Sequence, residues 1–274
     1  MDLNTIDAVA IPRDREAFPE WRPGDAWLAG GTWLYSEPQP HLRRLVDLSR
    51  LGWPPHTIGE GGLSLAATCT IAELDRLELP PDWIAAPLVG QCCRALLGSF
   101  KIWNLATVGG NLCMALPAGP MIALSAALEA TCLIWTPDGA ERRQPVVDFV
   151  RGPQETTLLP GEILRAIDIP ASALERRSAF RRISLSPNGR SGALLIGTLD
   201  AAGAFALTLT AATRRPLRLG FPAMPAAEDL QAEIAAIPDA LYYDDVHGAP
   251  EWRRHVTSAF ADEIRAELAG DEPV

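Results

Sequence analysis

The chain has 274 residues, 48% hydrophobic and 21% charged, which is typical of a globular protein rather than a disordered, collagen-like or coiled-coil chain. Its 24 basic and 34 acidic residues give a formal charge of −10, which argues against nucleic acid and anionic membranes as partners because like charges repel. At ~150 residues per domain, about two domains are expected.

The first fifty residues are predicted to form a small β-α-β unit. Short strands are expected at 8–11, 26–29 and 45–48, with a helix or loop from Pro12 to Pro23. The second strand runs directly into Gly30-Gly31-Thr32. A strand followed by a glycine-rich turn is a common way to present backbone N–H groups to a phosphate.

The next hundred residues are predicted to mix helices with strands. A hairpin turns at 60–62, and Thr70 with Glu73 forms a capping box at the start of a helix. Apolar helices are expected at 84–99 and 120–128, and strands at 131–135 and 162–169. The segment Lys101–Leu112 between the two helices is rich in Gly and Asn, and its part Asn104–Leu112 is interpreted as a glycine-rich turn.

A polar stretch near 170–178 predicts a domain boundary. Strands are expected beyond it at 179–183, 192–200 and 205–211, and helices at 226–236 and 250–268. This order predicts an antiparallel sheet with helices on one face. The expected domains are therefore 1–172, divided into subdomains of about 1–56 and 57–172, and 173–274.

Two glycine-rich turns are the candidate ligand-binding features. The first is Leu28-Ala29-Gly30-Gly31-Thr32-Trp33-Leu34, and the second lies within Asn104–Leu112. Glycines allow a ligand to approach the backbone closely, and successive N–H groups can form a concave anion site. Two such turns could hold the two phosphates of a pyrophosphate, although either could simply be a tight turn.

The five cysteines, at 69, 92, 93, 113 and 132, contain no C-x-x-C pair. They lack the short thiolate spacings of iron–sulfur and zinc sites, so they are expected to be buried small hydrophobes in a reducing compartment. No secretory signal and no apolar run of ~18 residues is evident, which predicts a cytoplasmic protein without a membrane span. The Asp244-Asp245 pair with His247 is interpreted as a packed loop rather than a metal site.

The two turns resemble those of the FAD-binding subunit of the molybdenum hydroxylases, the family of xanthine dehydrogenase and carbon monoxide dehydrogenase. The family motifs A-G-G-T-[DN]-L and R-N-x-A-T-[IV]-G-G-N-L correspond to Ala29–Leu34 and Trp103–Leu112. The stretches LSLAATCTIAEL from Leu63 and FVRGPQETTLLPGEILRAIDIP from Phe149 are similar to further family motifs. The resemblance covers roughly residues 8–200.

The resemblance implies an α+β fold, the two-subdomain FAD-binding fold of the vanillyl-alcohol-oxidase type, followed by a small antiparallel sheet domain with helices. Both turns would surround the pyrophosphate of non-covalently bound FAD, since neither contains a histidine. Leu97 would lie near the adenine, and Leu164 and Arg181 near the isoalloxazine. The implied cofactor-binding residues are Leu28, Ala29, Gly30, Gly31, Thr32, Trp33, Leu34, Leu97, Ala106, Thr107, Gly109, Gly110, Asn111, Leu164 and Arg181. No catalytic residue and no metal ligand is assigned.

The resemblance also implies the function of an oxidoreductase subunit. Electrons would arrive from 2Fe–2S clusters on a small partner subunit, after substrate oxidation on a molybdopterin-containing large subunit, and would pass to NAD⁺, a quinone or dioxygen. Two alternatives stay open: a stand-alone flavoprotein that acts on a small molecule, and a scaffold that no longer binds flavin. An exposed apolar patch near the flavin edge would favour the subunit, and a closed substrate pocket over the flavin, lined by polar groups, would favour the stand-alone enzyme.

Three departures from the family motifs bear on cofactor binding. Trp33 stands in place of the usual Asp or Asn, and Trp103 in place of Arg. Pro120 stands where the family has an acid that anchors the sugar-alcohol chain of the flavin. Losing one hydrogen bond costs only about 0.5–1.5 kcal/mol, so binding is expected to survive.

Overall fold

The computed structural model describes residues 3–271. The N-terminal part of the chain forms a small parallel sheet. Two outer strands pair in parallel with a central third strand, in the order β1-β3-β2. The strands are β1 (Ala8–Ala10), β2 (Asp25–Leu28) and β3 (Arg44–Asp47). The connection between β1 and β2 contains no helix, so the sequence prediction of helix or loop resolves to a loop.

A five-stranded antiparallel sheet with the order β4-β5-β10-β6-β7 forms the second unit. A two-stranded ribbon, β8 and β9, precedes its central strand β10. The strands are β4 (His56–Gly59), β5 (Gly62–Ala66), β6 (Thr131–Trp135), β7 (Glu141–Pro145), β8 (Val150–Gly152), β9 (Glu155–Thr156) and β10 (Ile163–Pro170). The predicted hairpin and both predicted strands are confirmed.

The same part of the chain contains short helices, several of which pack against this sheet. They are α1 (Ile71–Asp75), α2 (Pro87–Ala95), α3 (Phe100–Trp103), α4 (Val108–Met114), α5 (Pro120–Ala127), α6 (Val146–Phe149) and α7 (Ala171–Leu174). The predicted capping box is present, because Thr70 Oγ1 accepts from the Glu73 N–H and the Glu73 carboxylate accepts from the Thr70 N–H. All eight residues of α5 are buried, as expected of a helix that is apolar on every side.

A four-stranded antiparallel sheet and two helices form the C-terminal part. The sheet has the order β11-β12-β13-β14. Its elements are β11 (Arg177–Ile183), β12 (Ala193–Leu199), β13 (Phe205–Thr210), β14 (Leu217–Phe221), α8 (Ala227–Ala235) and α9 (Pro250–Ala269). The predicted antiparallel sheet and helices are confirmed, and the α+β class with them.

The C-terminal sheet is covered on both faces, because side chains alternate along a strand. On β12, Leu194 and Ile196 belong to the core that contains α5. Leu195 belongs to a second core together with Ile264 of α9. The helices expected on one face are α8 and α9, and α5 of the preceding part supplies the other cover. The predicted boundary at 170–178 includes α7, but the core does not divide there.

One prediction of local structure was wrong, and one strand was not predicted. The predicted turn 104–112 contains the start of α4, and α3 precedes it. Gly and Asn are weak helix formers, but Thr107 caps α4 and tertiary packing holds it. Strand β14 was not predicted, because its pairing with β13 is a tertiary contact.

Four of the five cysteines are buried, as predicted, but Cys113 is exposed. Burial raises the pKa of the Cys69 thiol to about 12, which keeps it in the unreactive thiol form at neutral pH. Among residues 3–271, no helix combines the length and apolarity needed to cross a bilayer.

Candidate functional site

A cavity of about 630 Å³ lies where the N-terminal sheet, the helices and the C-terminal part meet. This volume is within the range of about 300–1,000 Å³ that is usual for small-molecule and cofactor sites. Its walls come from four stretches: residues 27–37 after β2, residues 95–102 after α2, residues 106–120 around α4, and loops of the C-terminal part. Both predicted glycine-rich turns therefore contribute to one cavity.

The first wall is the segment Leu28–Leu34, and every one of its residues lines the cavity. Within the described part of the chain, the backbone N–H groups of the five consecutive residues 30–34 donate to no acceptor. Gly31 adopts φ +68°, a conformation that glycine reaches without steric cost. Consecutive free N–H groups in such a turn form a site for an anionic ligand.

The two glycine-rich segments touch each other at Gly30. A Cβ atom at this position would overlap the carbonyl oxygen of Leu105. Because the overlap is with backbone, no side-chain rotation could relieve it. Gly30 is therefore required for the close approach of the first wall to the segment that leads into α4.

The second segment forms the N-terminal turn of α4, and its donors are already used. Thr107 Oγ1 accepts from Gly110 N at 3.0 Å. Val108 and Gly109 donate their N–H groups to the carbonyls of Cys69 and Ala67. These three N–H groups are therefore unavailable to a ligand, in contrast to those of residues 30–34. The expectation that both turns would form anion sites is supported only for the first.

Within the second segment, Ala106, Thr107, Gly110 and Asn111 line the cavity. Gly109 does not line it, and a Cβ at this position would overlap the side chain of Ala67. Gly109 was predicted to be part of the site, but it packs behind the cavity wall. The missing side chain lets α4 lie directly on the residue that follows β5.

Asn111 connects α4 to α5. Its Oδ1 accepts from the N–H of Met121 at 3.0 Å, in the first turn of α5, while its Nδ2 donates to no acceptor in residues 3–271. Pro120 begins α5 and also lines the cavity. The place of the usual family acid is therefore at the cavity wall, but Pro120 offers no side-chain acceptor there.

The two tryptophans that depart from the family motifs have different surroundings. Trp33 lines the cavity, so its indole is placed to cover a ligand. Trp103 lies behind the wall, and its Nε1 donates to the carbonyl of Leu96 at 3.0 Å. Leu97, which follows Leu96 in the chain, lines the cavity.

Leu164 and Arg181 are not brought to the cavity. Leu164 lies on β10 and is buried in the main core. Arg181 lies on β11, and its guanidinium pairs with Glu263 at 2.6 Å and Glu267 at 2.8 Å on α9. Both ion pairs hold Arg181 on the face of the sheet that α9 covers.

The next residue of β11 points to the other side, since successive side chains alternate along a strand. Arg182 Nε donates to Ser191 Oγ at 2.7 Å, and Ser191 lines the cavity. Burial lowers the pKa of Arg182. Arg182, the neighbour of the residue that sequence reasoning selected, therefore contacts a residue of the cavity wall without lining the cavity itself.

Sequence reasoning missed the wall that the C-terminal part contributes. Its residues are Arg190, Ser191, Ala211, Tyr243, Asp245, His247 and Arg253. The interpretation of Asp245 and His247 as a packed loop was incomplete, because both line the cavity. In the described residues, no group of three or more metal-ligating side chains could hold a metal ion. This wall could not be predicted from a local sequence motif, because its residues come from three separate loops and one helix.

Arg253 on α9 organises this wall, although only 1% of it is exposed. Its guanidinium donates to the carbonyls of Gly248 at 2.8 Å and Gly192 at 3.0 Å, to that of Ala211, and to the carboxylate of Asp245. Burial lowers the pKa of Arg253, and the charge of Asp245 acts in the opposite direction. The buried cation thus donates four hydrogen bonds, one of them to a carboxylate, as expected of a buried charge.

Trp27 at the end of β2 is held by Glu162. Its ring lines the cavity, and its Nε1 donates to the Glu162 carbonyl at 2.9 Å. The Glu162 carboxylate pairs with Arg142 at 2.5 Å and is almost fully buried. The hydrogen bond from Arg142 is the main cause that lowers the pKa of Glu162, and burial acts against it.

This ion pair predicts a pH dependence of stability. Since the pKa of Glu162 is lowered on folding, its contribution is fully present above the unfolded-state pKa and is lost as the pH falls through the folded-state pKa. We expect Glu162→Gln to show a shallower loss of unfolding free energy on acidification than the wild type. Urea unfolding across the acidic range measures it, and identical pH profiles would contradict the role given to this pair.

Comparison with known proteins relates this geometry to established families. A family profile described as "FAD binding domain in molybdopterin dehydrogenase" matches residues 15–172. The chain is 28% identical over 163 residues to the carbon monoxide dehydrogenase medium chain of Hydrogenophaga pseudoflava, and 32% identical over 84 residues to the glyceraldehyde dehydrogenase medium chain of Sulfolobus acidocaldarius. These alignments cover 57% and 31% of this chain, and 54% and 29% of the two relatives.

Solved structures show the same fold over nearly the whole chain. Reconstituted CO dehydrogenase from Oligotropha carboxidovorans matches with a TM-score of 0.80 at 21% identity, covering 97% of this chain and 99% of that one. Quinoline 2-oxidoreductase from Pseudomonas putida 86 matches with a TM-score of 0.79 at 20% identity, covering 98% and 99%.

Proposed function

Because this chain belongs to the family of FAD-binding domains of molybdopterin dehydrogenases, we propose that it is the FAD-binding, electron-transferring subunit of a molybdenum hydroxylase. Partner subunits would hold the molybdopterin and the 2Fe–2S clusters, as the sequence resemblance implies. This chain would relay electrons from those clusters to NAD⁺, a quinone or dioxygen. The curated relatives are themselves medium chains of dehydrogenases.

The cofactor of this family is FAD, and the residues of the cavity fit it. The run of unsatisfied N–H groups at residues 30–34 suits a pyrophosphate. Gly31 lets the backbone approach the phosphates, and the apolar side chain of Leu97 suits a purine ring. When bound, FAD supplies the electron-transfer chemistry. The protein contributes the position of the cofactor and its electrostatic surroundings.

The observation that carries the assignment as a subunit is an exposed apolar segment beside the cavity, residues 97–105. Leu97, Phe100, Ile102 and Leu105 are all exposed there, and Phe100 reaches 74%. Leu97 and Ile102 also line the cavity. Contiguous exposed apolar side chains commonly mark a protein interface. A partner docked on this segment would stand next to the adenine end of the bound cofactor, which the sequence resemblance places near Leu97, rather than at the flavin edge.

The stand-alone flavoprotein remains the second candidate, and the polar C-terminal wall favours it. Arg190, Ser191, Tyr243 and His247 line the cavity. A few convergent polar groups in a cavity are typical of sites that orient a small molecule. Under this alternative, these side chains would bind a substrate beside the flavin, and residues 97–105 would have no partner.

Purification of the protein from its own source tests the assignment. Under the proposal, this chain copurifies with two further subunits, and the complex contains FAD, molybdenum and iron. FAD is identified in the supernatant after heating, and the metals by elemental analysis. A chain that carries FAD but elutes alone, without molybdenum or iron, would support the stand-alone flavoprotein. A chain without FAD that also fails to bind added FAD would leave only the scaffold.

Substitution of Phe100 by Glu is expected to weaken assembly at least about tenfold, since an exposed aromatic at an interface is a frequent hot spot. FAD binding should be unchanged because Phe100 does not line the cavity. Leu159→Glu is the matched control, since Leu159 is 65% exposed and lies outside the cavity and the 97–105 segment. Analytical size exclusion of the coexpressed subunits measures assembly. Equal effects of the two variants would contradict an interface at residues 97–105.

A further inference from the structure

Asp245 has one carboxylate oxygen engaged and one free. Its Oδ1 accepts from the His247 N–H at 2.8 Å and from the guanidinium of Arg253. Its Oδ2 accepts from no group in residues 3–271, although Asp245 lines the cavity. The engaged oxygen fixes the carboxylate, so the free oxygen is a preset hydrogen-bond acceptor at the cavity wall.

The position of Asp245 along the cavity follows from α4, which forms one side. Seven helical residues span about 10 Å. At the N-terminal end of α4, the carbonyl of Ile102 accepts from Ala106 N at 2.7 Å. This end therefore lies beside the apolar residues that follow α2.

The opposite end of α4 lies beside the C-terminal part. There the carbonyl of Pro117 accepts from Ala211 N at 2.8 Å, and the carbonyl of Ala211 accepts from Arg253. Arg253 in turn holds Asp245. The cavity is thus apolar near Leu97 and carries a carboxylate acceptor near the other end of α4.

The chemical groups of FAD follow the same sequence along the molecule as the apolar, N–H-donating and carboxylate regions along the cavity. The purine suits the apolar end, and the pyrophosphate suits the N–H groups of residues 30–34, which approach α4 at Gly30 and Leu105. In this order, the ribityl chain would extend toward the C-terminal wall. Its hydroxyl groups are donors, and an ionised carboxylate accepts from them more strongly than a neutral group does. Pro120 and Ala118 on the same side offer no side-chain acceptor.

We propose that Asp245 accepts a hydrogen bond from a ribityl hydroxyl of bound FAD and that Arg253 is the positioning residue for its carboxylate. The inference rests on the assignment of FAD to this cavity. It makes the C-terminal part a contributor to cofactor recognition rather than only a cover for the cavity. Asp245 would thereby supply the hydrogen-bond acceptor that Pro120 lacks.

Titration calorimetry of the full chain, freed of cofactor, with FAD, FMN and ADP tests the proposal. FMN contains the ribityl half of FAD, and ADP contains the adenosine and pyrophosphate. Asp245→Asn keeps an oxygen for Arg253 and His247 but removes the charge. We expect about tenfold weaker binding of FAD and FMN, and ADP binding unchanged within about twofold.

Asp244→Asn is the matched control because Asp244 is exposed and does not line the cavity. It should bind all three ligands as the wild type does and keep the wild-type thermal midpoint. Asp245→Asn should have a lower thermal midpoint, because the buried Arg253 loses its counter-ion. Unchanged ADP binding by this variant is therefore the evidence that the rest of the cavity is intact. Unchanged FMN affinity in Asp245→Asn, or an equal loss of affinity for FMN and ADP, would overturn the role of Asp245. It would leave the assignment of FAD to this cavity intact. Failure of the wild type to bind FAD would overturn both the cofactor assignment and this inference.

Discussion

Gly30→Ala is expected to weaken FAD binding by about 100-fold or more. The added methyl would overlap the Leu105 carbonyl, so the first wall must move away from the segment that leads into α4. Displacing the N–H groups of residues 30–34 would cost at least two hydrogen bonds to the charged pyrophosphate. At about 1.5–3 kcal/mol for each such bond, the loss reaches about 100-fold. The overpacking itself should destabilise the fold by about 1–3 kcal/mol.

Flavin fluorescence titration of the cofactor-free chain measures the affinity, and thermal unfolding measures the stability. Gly59→Ala is the control, since no atom lies within 4 Å of the Cβ position and Gly59 lacks a positive φ. This variant should bind FAD as the wild type does. If Gly30→Ala bound FAD with wild-type affinity, the close approach of Gly30 to the Leu105 carbonyl would not be required for cofactor binding.

Arg253→Met is expected to lower the free energy of unfolding by about 3–5 kcal/mol, the usual cost of removing one partner of a buried ion pair. Methionine retains much of the chain length but donates no hydrogen bonds. The substitution would leave the carbonyls of Gly192, Ala211 and Gly248 without the donors they have now. It would also leave the carboxylate of Asp245 without its cation.

The adjacent Arg254 offers a matched control. It pairs with Asp239, but its side chain is 38% exposed and that of Asp239 is 89% exposed. Surface ion pairs contribute only about 0–1 kcal/mol, so Arg254→Met should be nearly neutral. Urea unfolding of both variants supplies the comparison. A loss of less than about 1 kcal/mol in Arg253→Met would mean that this buried network is not required for the C-terminal wall.

The parts of the fold that follow local rules could be predicted from the sequence. The hairpin at 60–62, the Thr70 capping box and the apolar helix after Pro120 depend on neighbouring residues, and all three are present. The glycines of the first turn were assigned to ligand binding because glycine lets a ligand approach the backbone closely and successive N–H groups can form an anion site. Family motifs carried the assignment of FAD, which spacing alone left open.

Long-range packing decided the rest. Gly109 was grouped with the cavity residues, but its missing side chain accommodates Ala67 of another element. Arg181 was selected over Arg182, although strand alternation and the acids of α9 determine which of the two faces the cavity wall. The C-terminal wall joins residues more than sixty positions apart in the chain, such as Gly192 and Arg253. No local pattern encodes such a meeting.

The burial of α5 under the C-terminal sheet sets an order of events during synthesis. The ribosome releases α5 well before β12 and β13, so the face that will contact Leu194 and Ile196 stays open to water until those strands emerge. Arg253 is synthesised later still, so the C-terminal wall of the cavity cannot form before then. The segment that the family profile matches therefore leaves the ribosome without its final cover. Because residues of the C-terminal part complete the cavity wall, we expect the cofactor to be loaded after synthesis of the whole chain, and a nascent chain stalled before β12 to be a target for chaperones.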